Sequence, residues 1–192
     1  MSMGTAEARY RQLEQTRQSY LDRARDCSEL TIPSLIPPDV HNETSDLYTP
    51  FQGIGARGVN NLASKLSIAL MPPNSPFFRF MVEPYTLKEM AQDEAARTSI
   101  EQQLGEYERA VMSEIETSGD RVAMHEALKH LIVGGNVLLH VGADKTRVIH
   151  LDSYLVSRAP SGDVLEIVVV EHVSPNALDK ATAANISGKL EG

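Results

Sequence analysis

The sequence is short of several things, and each shortage excludes something. A single cysteine, Cys27, rules out an intrachain disulfide and any cysteine-rich zinc site. Tryptophan is absent and aromatic residues make up only 5%, so packing is expected to rest on Leu, Ile, Val and Ala in helix-rich structure. Basic residues are outnumbered, 18 against 26 acidic, for a net charge of -8. No Lys/Arg cluster stands out, since the densest basic stretch, Arg17 to Arg25, is interleaved with Asp22 and Asp26. A protein that grips nucleic acid by its phosphates normally carries a basic patch; tight DNA binding is therefore not expected. A surface past which DNA slides remains compatible with this charge. No apolar run has the 18 or more residues that a membrane span needs, and Met1 to Arg11 lacks the apolar core of a signal peptide. No membrane partner is expected, and the chain reads as one folded in a cytoplasm.

What is present suits a globular domain. A chain of 192 residues can bury about 70% of its unfolded surface. Residues 6 to 28 have the spacing of an amphipathic helix, with Tyr10, Leu13, Arg17, Tyr20, Leu21, Ala24 and Cys27 on one side. On this spacing Cys27 is expected to be a small buried core residue. Pro33, Pro37 and Pro38 then forbid helix, and residues 31 to 48 read as an extended arm anchored by Ile32, Leu35 and Ile36.

Thr49-Pro50-Phe51-Gln52 has the form of a capping box with proline at the first helical position, predicting a helix from there to Leu70, before Pro72-Pro73. Val59, Leu62, Ala63, Leu66, Ala69 and Leu70 share one side of it; Arg57, Asn60, Asn61, Ser64 and Ser67 share the other. Phe77 to Val82 reads as a short strand. Thr86-Leu87-Lys88-Glu89 opens a short helix. Thr98 with Glu101 restarts it to about Thr117, on a stripe of Ile100, Leu104, Tyr107, Val111 and Ile115. Ser118-Gly119 is a stop, and Asp120 is placed to cap a helix over residues 121 to 133 that ends at Gly134-Gly135-Asn136.

The period then changes from 3.6 to 2. Val137 to Val141, Thr146 to Leu151, Tyr154 to Arg158 and Val164 to Val173 read as strands, the last two joined by a turn at Pro160-Ser161-Gly162-Asp163. Ser174-Pro175 opens a last helix to about Ile186. Helices first and a small antiparallel meander afterwards define an α+β fold.

Gly53-Ile54-Gly55-Ala56-Arg57-Gly58 spells G-x-G-x-x-G, the string that cradles a pyrophosphate where a buried strand meets a helix. Glu83 even stands where the ribose-binding acid would. The context is wrong, because residues 42 to 48 offer no apolar strand and the capping box places the glycines inside a helix already begun. Small residues there are expected to let another backbone approach closely. The six histidines show no metal-ligand spacing: His125 and His130 are five apart, and His140 and His150 fall on separate strands. Neither Cys27 nor any serine has the surroundings of a nucleophile. No cofactor, metal or catalysis is expected. The competing readings are a nucleotide-binding enzyme built on the glycine string and a monomeric helical adaptor.

Several strings resemble the portal (head-to-tail connector) proteins of T-seven-like short-tailed double-stranded DNA phages. Leu30 to Pro37 is similar to the family's proline-rich arm. Tyr48-Thr49-Pro50-Phe51-Gln52-Gly53-Ile54-Gly55-Ala56-Arg57-Gly58-Val59-Asn60-Asn61-Leu62-Ala63-Ser64-Lys65-Leu66 resembles its most recognisable stretch almost position for position. Ala127 to Leu139 and the hairpin Tyr154 to Glu171 continue the likeness. The resemblance implies a structural subunit, not an enzyme: a homo-oligomeric ring, twelve-fold in this family, seated at one capsid vertex of the virion. Its implied partners are the major capsid and scaffold proteins, the terminase motor during packaging, tail adaptor proteins, and double-stranded DNA passing through the channel. It divides the chain into a helix and proline-rich arm (1–50) and a wing region (51–192), with stem, clip and crown lying outside this chain. A cyclic ring needs two different patches per subunit, and the polar face Arg57, Asn60, Asn61 and Ser64 is the candidate for subunit or helix packing.

Overall fold

The computed structural model describes residues 6–38, 46–83, 85–86, 93–142, 145–171 and 173. Among the described residues, four helices precede four short strands: α1 (Ala6–Glu29), α2 (Ile54–Leu70), α3 (Glu94–Thr117), α4 (Asp120–Gly134), β1 (Leu138–Val141), β2 (Thr146–Ile149), β3 (Tyr154–Arg158) and β4 (Val164–Val169), with a 3-10 turn at Leu151–Ser153 between β2 and β3. The α+β arrangement is the one expected. The strands form two separate antiparallel pairs, β1 with β2 and β3 with β4. The helix expected from Ser174 and most of the one expected from Thr86 lie outside the described residues.

The core gathers where α1, the turn after it, α2, α4 and the 3-10 turn meet. Leu21, Ala24, Leu35, Ile36, Val59, Val133, Leu151 and Tyr154 form one buried cluster. Gly134 makes room in it, because a Cβ there would stand 3.2 Å from Ile36 Cδ1. Gly135 then takes the left-handed conformation, φ 70°, that ends α4, its amide donating to Leu131 O at 2.9 Å. A polar clasp ties α1 to the far end of the chain. The Arg17 guanidinium donates to the carbonyls of Leu151, Asp152 and Tyr154, and the Tyr20 hydroxyl to that of Gly134.

Local expectations differ from the structure at several places. In α1, Cys27 is exposed and Ser28 is wholly buried. The inward stripe Arg17, Leu21, Ala24 continues four residues on to Ser28, and Cys27 lies about 100° off it. Ser28 is tolerated inside because its hydroxyl donates to Ile32 O (2.8 Å) and accepts from the Ile36 amide (3.1 Å). Those bonds also fold the start of the arm into a turn, Leu35 N to Ile32 O at 3.0 Å, with Leu35 and Ile36 anchored in the core.

The second helix starts at Ile54, with Gly53 as its N-cap and no side-chain cap; the box at Thr49 is not used. A capping box stabilises by about 1 kcal/mol, and winding a helix through Gly53 costs nearly as much, so the earlier start gains nothing. Its C-terminal end is capped from outside: Arg121 of α4 donates to the carbonyls of Met71 (2.6 Å) and Pro72 (3.3 Å). Asp120 likewise does not cap. The N-cap of α4 is Gly119 at φ 80°, and the Asp120 carboxylate accepts from the Ser118 hydroxyl at 2.7 Å. Finally, residues 77–82 form no strand. The segment runs along α3, where the Phe80 amide donates to Glu108 Oε1 at 2.7 Å instead of to a ladder partner.

Candidate functional site

The glycine-rich string and the helix it opens form one surface. Gly55 faces inward. A Cβ on it would lie 2.5 Å from Leu30 O and 3.3 Å from Thr31 Cα, so the end of α1 packs directly on its backbone. This is the close approach of protein backbone expected of the small residues, though at Gly55 alone: Gly53 and Gly58 have nothing within 4 Å of such an atom. Residues 46–50 form no strand, and all strand pairs among the described residues are antiparallel. The strand–turn–helix that holds a dinucleotide is thus not built here.

The buried stripe of α2 is Val59 and Ala63, flanked by half-buried Ala56, Leu66 and Ser67. It is rotated from the predicted one, which leaves Leu62 and Leu70 largely exposed and turns the Ser67 hydroxyl inward without a partner. Arg57, Asn60, Asn61 and Ser64 all lie on the exposed side. Ser64 is the exception in having neighbours: its hydroxyl donates to Asn60 O at 2.8 Å and stands 3.3 Å from His125 Nε2 on α4. Beside them a shallow depression is lined by Ile54, Arg57, Gly58, Asn61, Leu62 and Lys65. The outer face of α2 is therefore mixed, apolar and hydrogen-bonding side chains alternating along it.

A second constellation was not legible from histidine spacing. His130 of α4 and His150, just before the 3-10 turn, stack edge to face with ring centres 4.8 Å apart. Glu126 joins them, and one donor atom from each of the three lies within 4.8 Å of the others. Glu126 and His130 are four apart on α4, the spacing that puts two ligands on one helical face, and that spacing is the signal the sequence carries. Burial, with His150 against the ring, holds the His130 imidazole below the usual histidine range, Glu126 and Asp152 opposing. Among the described residues no helix is long and apolar enough to cross a membrane.

Comparison with known proteins decides the family. Residues 3–190 match the family described as bacteriophage head to tail connecting protein. The chain belongs to this family. It is 38% identical over 190 residues to the portal protein of Enterobacteria phage T3, covering 95% of this chain and 35% of that protein. For the portal protein of Escherichia phage T7 the identity is 36% over 190 residues, 96% of this chain and 35% of the relative. That of Enterobacteria phage SP6 is 31% identical over 177 residues, 92% and 34%. The family expected from the Tyr48 to Leu66 string is the family found. The chain spans about a third of the length of these curated relatives.

Proposed function

We propose that this chain is the wing-region part of a portal ring subunit, a structural component at the head-tail junction of the virion and not an enzyme. Similarity along nearly the whole chain to portal proteins of three phages carries the reading. In it, twelve copies close a ring at a capsid vertex, assembled in the host cytoplasm with capsid and scaffold proteins. The terminase then docks on the ring, DNA enters and leaves through it, and tail adaptors attach to it. The net charge of -8 suits a conduit that DNA crosses without adhering.

A cyclic ring is heterologous, so each subunit presents two different patches. The mixed outer face of α2, with Arg57, Asn60, Asn61 and Ser64, is one of them in this reading. Hydrogen-bonding side chains there set register between subunits without a large apolar patch on the free chain. Native mass measurement of the full-length protein tests both levels. A single large ring species is expected, and a monomer would sink the portal reading in favour of a helical adaptor. Arg57→Glu should shift the population from ring to monomer; an undiminished ring removes this face from the interface.

The nucleotide-binding alternative has a separate test. A dinucleotide bound only by the folded state must raise the melting temperature. None is expected here, because the inward glycine of the string is already filled by the backbone of Leu30 and Thr31.

A further inference from the structure

Both ring nitrogens of His130 are buried and without a hydrogen-bond partner, although the residue is 99% buried (1% exposed). Buried polar atoms nearly always find partners, and an orphaned buried nitrogen is a net cost to folding. The ring nonetheless packs against a second imidazole, His150, with the Glu126 carboxylate alongside. Two imidazoles and a carboxylate converge on one point, and one of them has nothing else to bind. We propose that Glu126, His130 and His150 form a site for a divalent transition-metal ion of the zinc class.

The donor set selects the ion. Two nitrogen ligands and one oxygen suit zinc and its neighbours, whereas magnesium and calcium take oxygen ligands. Tetrahedral zinc with bonds of about 2.0–2.2 Å sets its ligand atoms roughly 3.3 Å apart. The three donors, within 4.8 Å of one another, must close by about 1.5 Å, a distance covered by rotating the exposed Glu126 side chain and the His150 ring. Three protein ligands leave a fourth position for water or for a side chain from outside this chain. The ion would link α4 to the segment entering the 3-10 turn, where Leu151 and Tyr154 join the core, and so act as a staple across the helical and β parts of the molecule.

The test uses the full chain, tag-free and stripped with a chelator, in a Cys27→Ser background that removes the exposed thiol. Zinc chloride is titrated against a chromophoric chelator, and cobalt(II) serves as the visible probe. One zinc per chain is expected, with a melting temperature about 5–10 °C higher at a hundredfold excess over Kd. His150→Asn and Glu126→Gln, both at the outer edge of the cluster, should keep the metal-free melting temperature and weaken binding at least tenfold. His125→Asn, whose imidazole lies outside the cluster, should bind as the parent does. No stoichiometric binding, or binding that either of the first two variants leaves intact, overturns the proposal.

Discussion

The two consecutive helices α3 and α4 show how little amphipathicity alone says about where a face is buried. The stripe of α3 (Ile100, Leu104, Tyr107, Val111, Ile115) is the more regular in the sequence, yet no residue of this helix is buried. Tyr107 is 65% exposed, and half-buried Ile100 and Leu104 line a groove of about 520 Å³ whose other wall is the extended segment 79–82. The less regular α4 buries Ala127, Leu128, His130, Val133 and Gly134. Periodicity reports that a helix has a face to cover. Which neighbour covers it depends on contacts far away in sequence, here from α1, α2 and the strands.

That contrast can be broken by substitution, and the largest expected effect lies in the core. Leu128→Ala on α4 should cost about 3 kcal/mol in urea unfolding of the chain, and Leu104→Ala on α3 under about 1 kcal/mol; equal costs would mean that α3 is a core helix after all. Alkaline pH probes the same core. Burial pushes the Tyr154 hydroxyl up to about 12. Between pH 10 and 12 the unfolded state therefore gives up this proton before the native state does, so stability falls as pH rises, by about 2–3 kcal/mol at most. Tyr154→Phe should flatten that limb of the pH–stability curve. At neutral pH the change should be small, since the hydroxyl has no partner to lose.

Glycines sharpen the contrast further. Gly55→Ala places a Cβ against a main-chain oxygen and should destabilise by about 1–3 kcal/mol. Gly105→Ala on α3 meets open space and should stabilise by about 0.5–1 kcal/mol. Thermal melts of the two variants moving in the same direction would contradict the packing described. The smallest effect belongs to Glu108, whose carboxylate holds the Phe80 amide at the surface. Glu108→Gln keeps an acceptor and should cost under about 1 kcal/mol, seen as faster amide exchange at Phe80 with little change in melting temperature.

Features decided by a few neighbouring residues were legible in the sequence. The stop at Gly134-Gly135, the break at Ser118-Gly119, the Pro160 to Asp163 turn and the places of the four strands follow from local backbone preferences, although the second and fourth strands end at Ile149 and Val169, short of the expected Leu151 and Val173. Features decided by distant contacts were not. Which of the three glycines lets another backbone approach depends on where Leu30 and Thr31 lie, and that is at Gly55. The choice of Ser28 over Cys27 depends on the turn that Ser28 bonds. Phe77 to Val82 is as apolar and aromatic as a strand, but Glu108 took the Phe80 amide. The face of α2 carrying Arg57, Asn60, Asn61 and Ser64 lies on the exposed side, and its partner is a matter for the ring experiment. The meeting of His130 and His150 needed the fold, because their separation along the chain carries no period.

The Arg17 clasp also sets an order of events at the ribosome. Its acceptor carbonyls lie 134 to 137 residues downstream, so α1 has to wait for a segment made much later. At a usual synthesis rate the delay is on the order of 10 s. Throughout it the inward side of α1, Leu21 and Ala24 with it, is wetted and free to bind whatever is near, including the same helix of another nascent chain. Final docking of α1 therefore registers that synthesis has passed Tyr154, since a polypeptide lacking Leu151 to Tyr154 cannot close this clasp.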